Sequence, residues 1–237
     1  MSAMEEQAKS LKQRGVLFDV DGTLLDSSYF HAIAWWQGFR QQGLTVPMAS
    51  IHRHIGMGGD RLLDRLLPPD SDEDTRKEIE QAHGAIFSTF WPVIRPFDAA
   101  TDLVRTCAES GFAVALASSA HPRDLHVLRG ILEADAWIDC VTSSADAAES
   151  KPSPDILQVA LERLGLRSED VVYVGDSVWD VQAAARLDIG TIGLTCGGIS
   201  EAELLAAGAL EVYADPRALL RDLESSPIGK LAGPPSA

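Results

Sequence analysis

The chain has 237 residues, of which 46% are hydrophobic and 23% charged, a composition that suits a globular protein with a sizeable core. Its formal net charge of −15 argues against nucleic acid or an anionic membrane as a partner, because both bind positive protein surfaces. The three cysteines lack a Cys-x-x-Cys spacing and favour reduced thiols. No stretch has the pattern of a signal peptide or a membrane span, so we expect a cytoplasmic protein and, by default, a monomer.

Six short apolar runs predict strands, and segments with helical spacing lie between them, which is typical of a parallel sheet. The runs cover residues 15–20, 111–119, 137–143, 170–176, 189–195 and 209–215. Helices are predicted for residues 100–110, 154–165 and 178–188, the second of them with Ser153 as its N-cap. The predicted fold class is therefore α/β, with a doubly wound, Rossmann-like parallel sheet.

Residues 29–93 interrupt this alternation, because they contain helical patterns and no strand pattern. We expect them to form a small all-helical domain inserted after the first strand. The α/β core is then predicted to comprise residues 14–28 and 94–224. Residues 225–237 have the composition of a loop and are predicted to be a disordered tail.

Polar residues follow several of the predicted strands, at the edge where parallel strands share a crevice. Asp19 and Asp21 follow the first run, Ser118 and Ser119 end the second, and Asp176 and Asp180 follow a later one, with Lys151 in a loop entering the same edge. Any one of these aspartates alone is more often a turn former or a helix cap. In combination, the carboxylates predict a Mg²⁺ site, and Lys151 would balance the charge of the carboxylates and of a bound phosphate.

Four segments together resemble the motifs of the haloacid dehalogenase-like hydrolases, and the resemblance extends from about Gly15 to Asp215. The segments are VLFDVDGTL at 16–24, ALAS at 115–118, Lys151-Pro152, and VGDSVWD at 174–180. This family combines a Rossmann-like core with a helical cap, which agrees with the helical pattern of residues 29–93.

The resemblance also implies roles for individual residues. Asp19 would be the nucleophile, Asp21 the general acid and base, Ser118 a phosphate ligand and Lys151 the balancing cation. The expected ligands of Mg²⁺ are Asp19, the backbone carbonyl of Asp21 and Asp176, with Asp180 either as a further ligand or as a support.

The chemistry of phosphoryl transfer requires the same residue types. A carboxylate can attack phosphorus and form an acyl phosphate, which divides one difficult displacement into two easier ones. Asp21 lies two residues after Asp19 and could protonate the leaving oxygen, then activate the water that cleaves the intermediate. The resemblance also bears on the activity: haloacid dehalogenases lack an aspartate at the position of Asp21, so its presence favours phosphate transfer over dehalogenation. We expect Gly22, Thr23 and Ser119 to border the substrate.

The helical insertion offers weaker signals about the substrate. His31 and Trp35 lie one turn apart and are similar to a histidine and a tryptophan on the first cap helix of β-phosphoglucomutases. A helix that is simply packed by Trp35, with His31 near the surface, explains the pair equally well. Gly58, in the sequence GMGG, could hold phosphate through backbone N–H groups, whereas Arg53 and Arg61 are out of register with the arginine of those mutases.

These features predict a Mg²⁺-dependent phosphatase that hydrolyses a small phosphorylated metabolite through an aspartyl phosphate. The alternative is an isomerase of the phosphosugar mutase type, which returns the phosphoryl group to another hydroxyl. A binding protein on an inactive enzyme scaffold is disfavoured, since every residue that the chemistry requires is present.

Overall fold

The structure, a computed structural model, describes residues 12–232, and these contain a six-stranded parallel sheet. Its strands are β1 (Gly15–Phe18), β2 (Ala113–Ala117), β3 (Cys140–Thr142), β4 (Val171–Gly175), β5 (Gly190–Leu194) and β6 (Glu211–Tyr213). Their order in the sheet is β3-β2-β1-β4-β5-β6, and every neighbouring pair is parallel. The predicted sheet and its six strands are confirmed.

The helices lie between the strands and before or after them in the chain. They are α1 (Ser28–Gln41), α2 (Met48–His52), α3 (Gly59–Leu66), α4 (Glu73–Ser88), α5 (Ala100–Glu109), α6 (Pro122–Leu132), α7 (Asp155–Leu164), α8 (Val178–Ala185), α9 (Glu201–Ala207), α10 (Pro216–Arg221) and α11 (Pro227–Ala232). The three helices predicted after residue 100 correspond to α5, α7 and α8.

Strand β1 lies in the middle of the sheet and is completely buried. Because side chains alternate along a strand, Val16 and Phe18 point to one face and Leu17 to the other. Val16 and Phe18 belong to an apolar cluster with residues of α5 and α6, and Leu17 belongs to a second cluster with residues of α7 and α8. Helices therefore cover both faces, which explains why the strand sequence is continuously apolar up to Asp19.

Helices α1 to α4 form an insertion between β1 and β2, called here the helical insertion (residues 28–88). It has an apolar cluster of its own, which includes Trp35, Phe39, Leu63 and Ile79. Helices α1 and α4 approach closely at Gly38, where an added Cβ would lie 3.1 Å from the backbone oxygen of Ile79. The expected absence of strands holds for this part of the described chain, while the division into two domains stays a prediction.

The two segments that connect the helical insertion to the sheet run side by side. Leu25 and Pro96 form an isolated antiparallel bridge. The Asp26 N–H donates to the Arg95 carbonyl at 3.0 Å, and the Phe97 N–H donates to the Leu24 carbonyl at 2.9 Å. The insertion thus leaves the core and returns to it through a short two-stranded ribbon.

Two local predictions are wrong. Ser153 is not the N-cap of α7, because Pro154 occupies that position and the Ser153 hydroxyl donates instead to Asp155 Oδ1 at 2.6 Å. The predicted disordered tail contains helix α11, whose Ile228 is fully buried in the cluster beneath β1. Ile228 and the partly buried Leu231 pack against this cluster despite the loop-like composition of the segment; residues 233–237 of the predicted tail lie outside the described residues.

Candidate active site

A cleft of about 720 Å³ lies at the carboxyl edge of the sheet, where the helical insertion faces it. Residues that follow β1 and β2 line one side of the cleft, and residues of the insertion line the other. Seven of the predicted site residues line it: Asp19, Asp21, Ser118, Ser119, His31, Trp35 and Gly58. The site therefore combines residues from the sheet edge and from the insertion, as the sequence predicts.

Lys151 is the buried cation of this site and has no exposed surface. Its Nζ donates to Asp19 Oδ1 at 2.5 Å and to the Ala117 carbonyl at 3.0 Å, and it lies 2.9 Å from Asp180 Oδ1. Burial alone would lower the pKa of Lys151, but Asp180 and Asp19 outweigh this effect and raise it. The lysine is therefore held protonated between two carboxylates.

Asp176 and the loop after β1 form the second part of the site. The Thr23 hydroxyl lies 3.1 Å from Asp176 Oδ1 and 3.3 Å from Asp19 Oδ2, so it links the two carboxylates. Gly22 has φ +80°, and a Cβ at this residue would lie 2.4 Å from Asp176 Oδ2 and 2.1 Å from Ser28 Oγ. The chain turns at Gly22, and glycine is required there both by its conformation and by this close approach.

The residues present fit a divalent cation. Asp19, Asp176 and Asp180 each offer an oxygen within 4.8 Å of the others, and all three are buried. The buried Ser28 hydroxyl, beside Asp176, has no hydrogen-bond partner among the described residues. Lys151 alone cannot balance three carboxylates, and hard oxygen donors are the ligands that Mg²⁺ prefers.

The electrostatics of the carboxylates lead to the same conclusion. Burial raises the pKa of Asp19 to about 7 against the opposing effect of Lys151, with the Asp180 carboxylate adding to the rise. Burial and the neighbouring Asp180 and Asp19 carboxylates also raise the pKa of Asp176 well above its usual value. Both groups would ionise more readily beside a bound cation.

Asp180 is the most heavily hydrogen-bonded carboxylate of the group. Its Oδ1 accepts from the Tyr173 hydroxyl at 2.8 Å and lies beside Lys151, while its Oδ2 accepts from the Ser177 N–H at 3.0 Å and hydroxyl at 2.6 Å. These contacts also close a capping box at the start of α8. Of the two roles predicted for Asp180, ligand or support, its partners favour the support of Lys151.

Asp21 faces the cleft from the other side of the loop. Its Oδ1 accepts from the Ser27 hydroxyl at 2.6 Å and lies 3.1 Å from His31 Nε2. Burial would raise the pKa of Asp21, but His31 and Ser27 outweigh this effect and lower it. His31 therefore faces the cleft and contacts Asp21, and it does not lie at the surface of a helix that is simply packed by Trp35.

The helical insertion brings few charges that could bind an anion. Arg53 pairs with Glu203 and Arg61 with Glu149, both on the core, so neither arginine lines the cleft. Among the described residues that line it, Arg123 is the only arginine or lysine. Its guanidinium donates to Asp124 Oδ1 at 2.9 Å and to the Gly84 carbonyl of the insertion at 3.1 Å.

Several residues of the site carry no signal in the sequence. His83 on α4 lies with its Nε2 3.1 Å from His31 Nδ1, yet it is an ordinary helical residue in the sequence. Tyr173 lies in a buried strand, and its sequence context predicts a core residue. In the structure its hydroxyl donates a hydrogen bond to Asp180. Ser27 is found only through its contact with Asp21, since serines before helices are common.

Comparison with known proteins places the chain in a family. The family model described as haloacid dehalogenase-like hydrolase matches residues 13–188, so the chain belongs to this family. Phosphoglycolate phosphatase of Escherichia coli is 27% identical over 208 residues, which cover 78% of this chain and 82% of that protein. The same enzyme of Salmonella typhi is 27% identical over 226 residues, covering 85% and 88%. The predicted family and the predicted enzyme class, a phosphoric monoester hydrolase, are confirmed.

Solved structures agree with this assignment. A hydrolase from Pseudomonas syringae superposes with a TM-score of 0.86 at 29% identity, covering 90% of this chain and 99% of that one. CbbY from Rhodobacter sphaeroides, solved in complex with phosphate, gives a TM-score of 0.70 at 23% identity over 87% and 96% of the two chains, a likeness of fold. Within residues 12–232, no helix is both long enough and apolar enough to span a membrane.

Proposed function

We propose that this protein is a Mg²⁺-dependent phosphatase that hydrolyses a small phosphorylated metabolite through an aspartyl phosphate on Asp19. The observation that carries the proposal is the arrangement around Asp19: Lys151 holds one of its oxygens at 2.5 Å, and Asp21 lines the same cleft two residues later. Cytoplasmic location and a monomeric state stay predictions from the sequence.

In the first step, an oxygen of Asp19 attacks phosphorus as the bond from phosphorus to the leaving oxygen breaks. Asp21 gives its proton to the leaving oxygen, so the product departs as an alcohol. In the second step, Asp21 takes a proton from water, which attacks the acyl phosphate and releases inorganic phosphate and the Asp19 carboxylate. Lys151 stays within hydrogen-bonding distance of Asp19 and offsets negative charge throughout.

Mg²⁺ would be held by Asp19 and Asp176 together with the backbone carbonyl of Asp21. When bound, it supplies positive charge that stabilises the transferring phosphoryl oxygens and keeps the carboxylates ionised. Ser118, fully buried and lining the cleft at the end of β2, is positioned to bind a phosphate oxygen. We infer that the helical insertion acts as a cap that excludes water while this chemistry proceeds.

The lining of the cleft favours a phosphatase over a phosphosugar mutase. A mutase of this kind binds a bisphosphate intermediate and needs a cation for the second phosphate. The helical insertion contributes Asp60 and Glu80 to the cleft and neither arginine nor lysine among the described residues. The nearest substitutes, Arg53 and Arg61, are paired with glutamates of the core.

The decisive experiment is a panel of phosphomonoesters with Mg²⁺, scored by release of inorganic phosphate. The panel includes 2-phosphoglycolate, hexose 1-phosphates and 4-nitrophenyl phosphate. Hydrolysis of at least one small ester, abolished by a chelator and restored by Mg²⁺, is the expected result. Conversion of hexose 1-phosphate to its 6-phosphate isomer would instead identify a mutase, and inactivity across the panel would favour a binding protein.

A further inference from the structure

A polar chain that the proposed chemistry does not use begins at His83. This histidine lies on α4, and its Nε2 is 3.1 Å from His31 Nδ1. The other nitrogen of His31, Nε2, is 3.1 Å from Asp21 Oδ1. A hydrogen-bonded chain therefore connects a helix of the insertion to the aspartate that is proposed to move the proton.

Aromatic packing fixes both imidazole rings in this chain. The His83 ring stacks on Trp35, with ring centroids 4.0 Å apart and an angle of 12° between the planes. The His31 ring stacks on Phe87 at 3.7 Å and 16°. Stacked rings cannot turn freely, so the direction in which each nitrogen points is set by the packing of α1 on α4.

The hydrogens of the chain follow from the groups that it joins. Ionised Asp21, the form that takes a proton from water in the second step, can only accept hydrogen bonds, so His31 Nε2 carries the hydrogen that points to it. On the other side of the ring, one hydrogen lies between His31 Nδ1 and His83 Nε2. Burial, with His31 and Arg123 nearby, lowers the pKa of His83 well below its usual value and keeps that ring neutral.

We propose that His83 is a positioning residue that fixes the orientation of the His31 ring, and thereby orients Asp21 toward the leaving oxygen. His83 itself does not contact Asp21 in the structure and acts through His31. The inference rests on the proposed function, because it concerns the proton that Asp21 gives to the leaving group.

The test compares two aryl esters that differ mainly in the basicity of the leaving group. Phenyl phosphate has a basic leaving group and needs the proton, whereas 4-nitrophenyl phosphate needs it much less. The parameter is kcat/KM, which covers the steps up to cleavage of the ester bond. The variant His83→Phe keeps an aromatic ring for Trp35 and Phe87 but removes both nitrogens.

We expect His83→Phe to lower kcat/KM for phenyl phosphate about tenfold and to change the value for 4-nitrophenyl phosphate less than about twofold. His83→Gln, whose amide can replace Nε2–H, should restore most of the loss. His126→Phe, at an exposed position of α6, is the matched control and should affect neither ester. An equal loss for both esters, or no loss for either, would overturn the proposal.

A measurement on the wild-type protein keeps the proposal testable if His83→Phe fails to fold. The ¹⁵N chemical shifts of labelled imidazoles show which ring nitrogens carry a hydrogen. We expect a hydrogen on His31 Nε2 and a shared hydrogen between His31 Nδ1 and His83 Nε2. A His31 without a hydrogen on Nε2, or without a hydrogen bond to His83, would refute the inference. If the wild-type enzyme hydrolyses neither ester with Mg²⁺, the proposed function is wrong. If it hydrolyses the esters but His31 lacks the expected hydrogen bonds, only the inference about His83 is wrong.

Discussion

The two sides of the cleft differ in how many polar contacts position their side chains. On the sheet edge, the carboxylates are buried and share Lys151, Thr23 and Tyr173 as partners, so that each group is positioned by several others. On the side of the helical insertion, His31 and His83 form a polar chain among the described residues that line the cleft, and Asp60 and Glu80 lie in exposed positions. The difference suggests that the sheet edge carries the chemistry common to the family and the insertion carries the choice of substrate.

The largest effect expected on the sheet edge comes from Asp19→Asn. Asparagine has nearly the same shape but is a poor nucleophile, so turnover of 4-nitrophenyl phosphate should fall by about a thousandfold or more. The thermal midpoint should stay close to that of the wild type, since the amide fits the same space. Substantial residual turnover, after exclusion of contaminating phosphatase, would contradict the assignment of Asp19 as the nucleophile.

Lys151→Met tests how strongly the sheet edge depends on its single buried cation. Removing it leaves Asp19 and Asp180 buried without their partner, so the free energy of unfolding should fall by about 3–5 kcal/mol. Urea denaturation measures this change. Lys12→Met is the control, because its pair with Asp139 is partly exposed and should contribute less than about 1 kcal/mol. Equal losses in the free energy of unfolding would show that the buried lysine stabilises the protein no more than an exposed one.

Contacts between the insertion and the core should matter less. The double variant R53A/R61A removes the ion pairs to Glu203 and Glu149, which are largely exposed. At about 0.2–1 kcal/mol for each pair, the loss of both should raise KM by between about twofold and thirtyfold and leave kcat nearly unchanged. Arg40→Ala, on the insertion but stacked only on Trp36 among its described contacts, is the control. A collapse of kcat would show that these pairs also position catalytic groups.

The smallest predicted effect is a pH dependence of stabilisation by Mg²⁺. Burial raises the pKa of Asp19 to about 7 in the metal-free protein, so below that pH the metal must displace a proton. We therefore expect Mg²⁺ to increase the thermal midpoint more at pH 8 than at pH 6. An equal increase at both values would indicate that Asp19 is not among the groups that bind the ion.

The sequence predicted the sheet edge well because its signals are local. An apolar run that ends in an aspartate predicts both the strand and the position of Asp19, and the parallel arrangement brings Asp176 and Ser118 to the same edge. The strand positions and the helical character of residues 29–93 followed from periodicity alone.

The insertion could not be predicted to the same depth. His83 reaches His31 only because α1 and α4 pack closely at Gly38, and the sequence does not specify the angle between two helices. Arg123 lines the cleft because of its place at the start of α6, where its side chain reaches the Gly84 carbonyl of the insertion. The buried Ile228 was missed because it and Leu231 are too few apolar residues to give a periodic signal in so short a helix.

The ribbon at Leu25 and Pro96 has a consequence for how such a protein can change over evolution. The insertion leaves and re-enters the core at adjacent points. The length of the insertion therefore has little effect on the geometry of the sheet. A different set of helices could begin and end at the same two strands without moving Asp19, Lys151 or Asp176. Evolution can therefore replace the insertion, which we expect to select the substrate, while the sheet edge that performs the reaction stays unchanged.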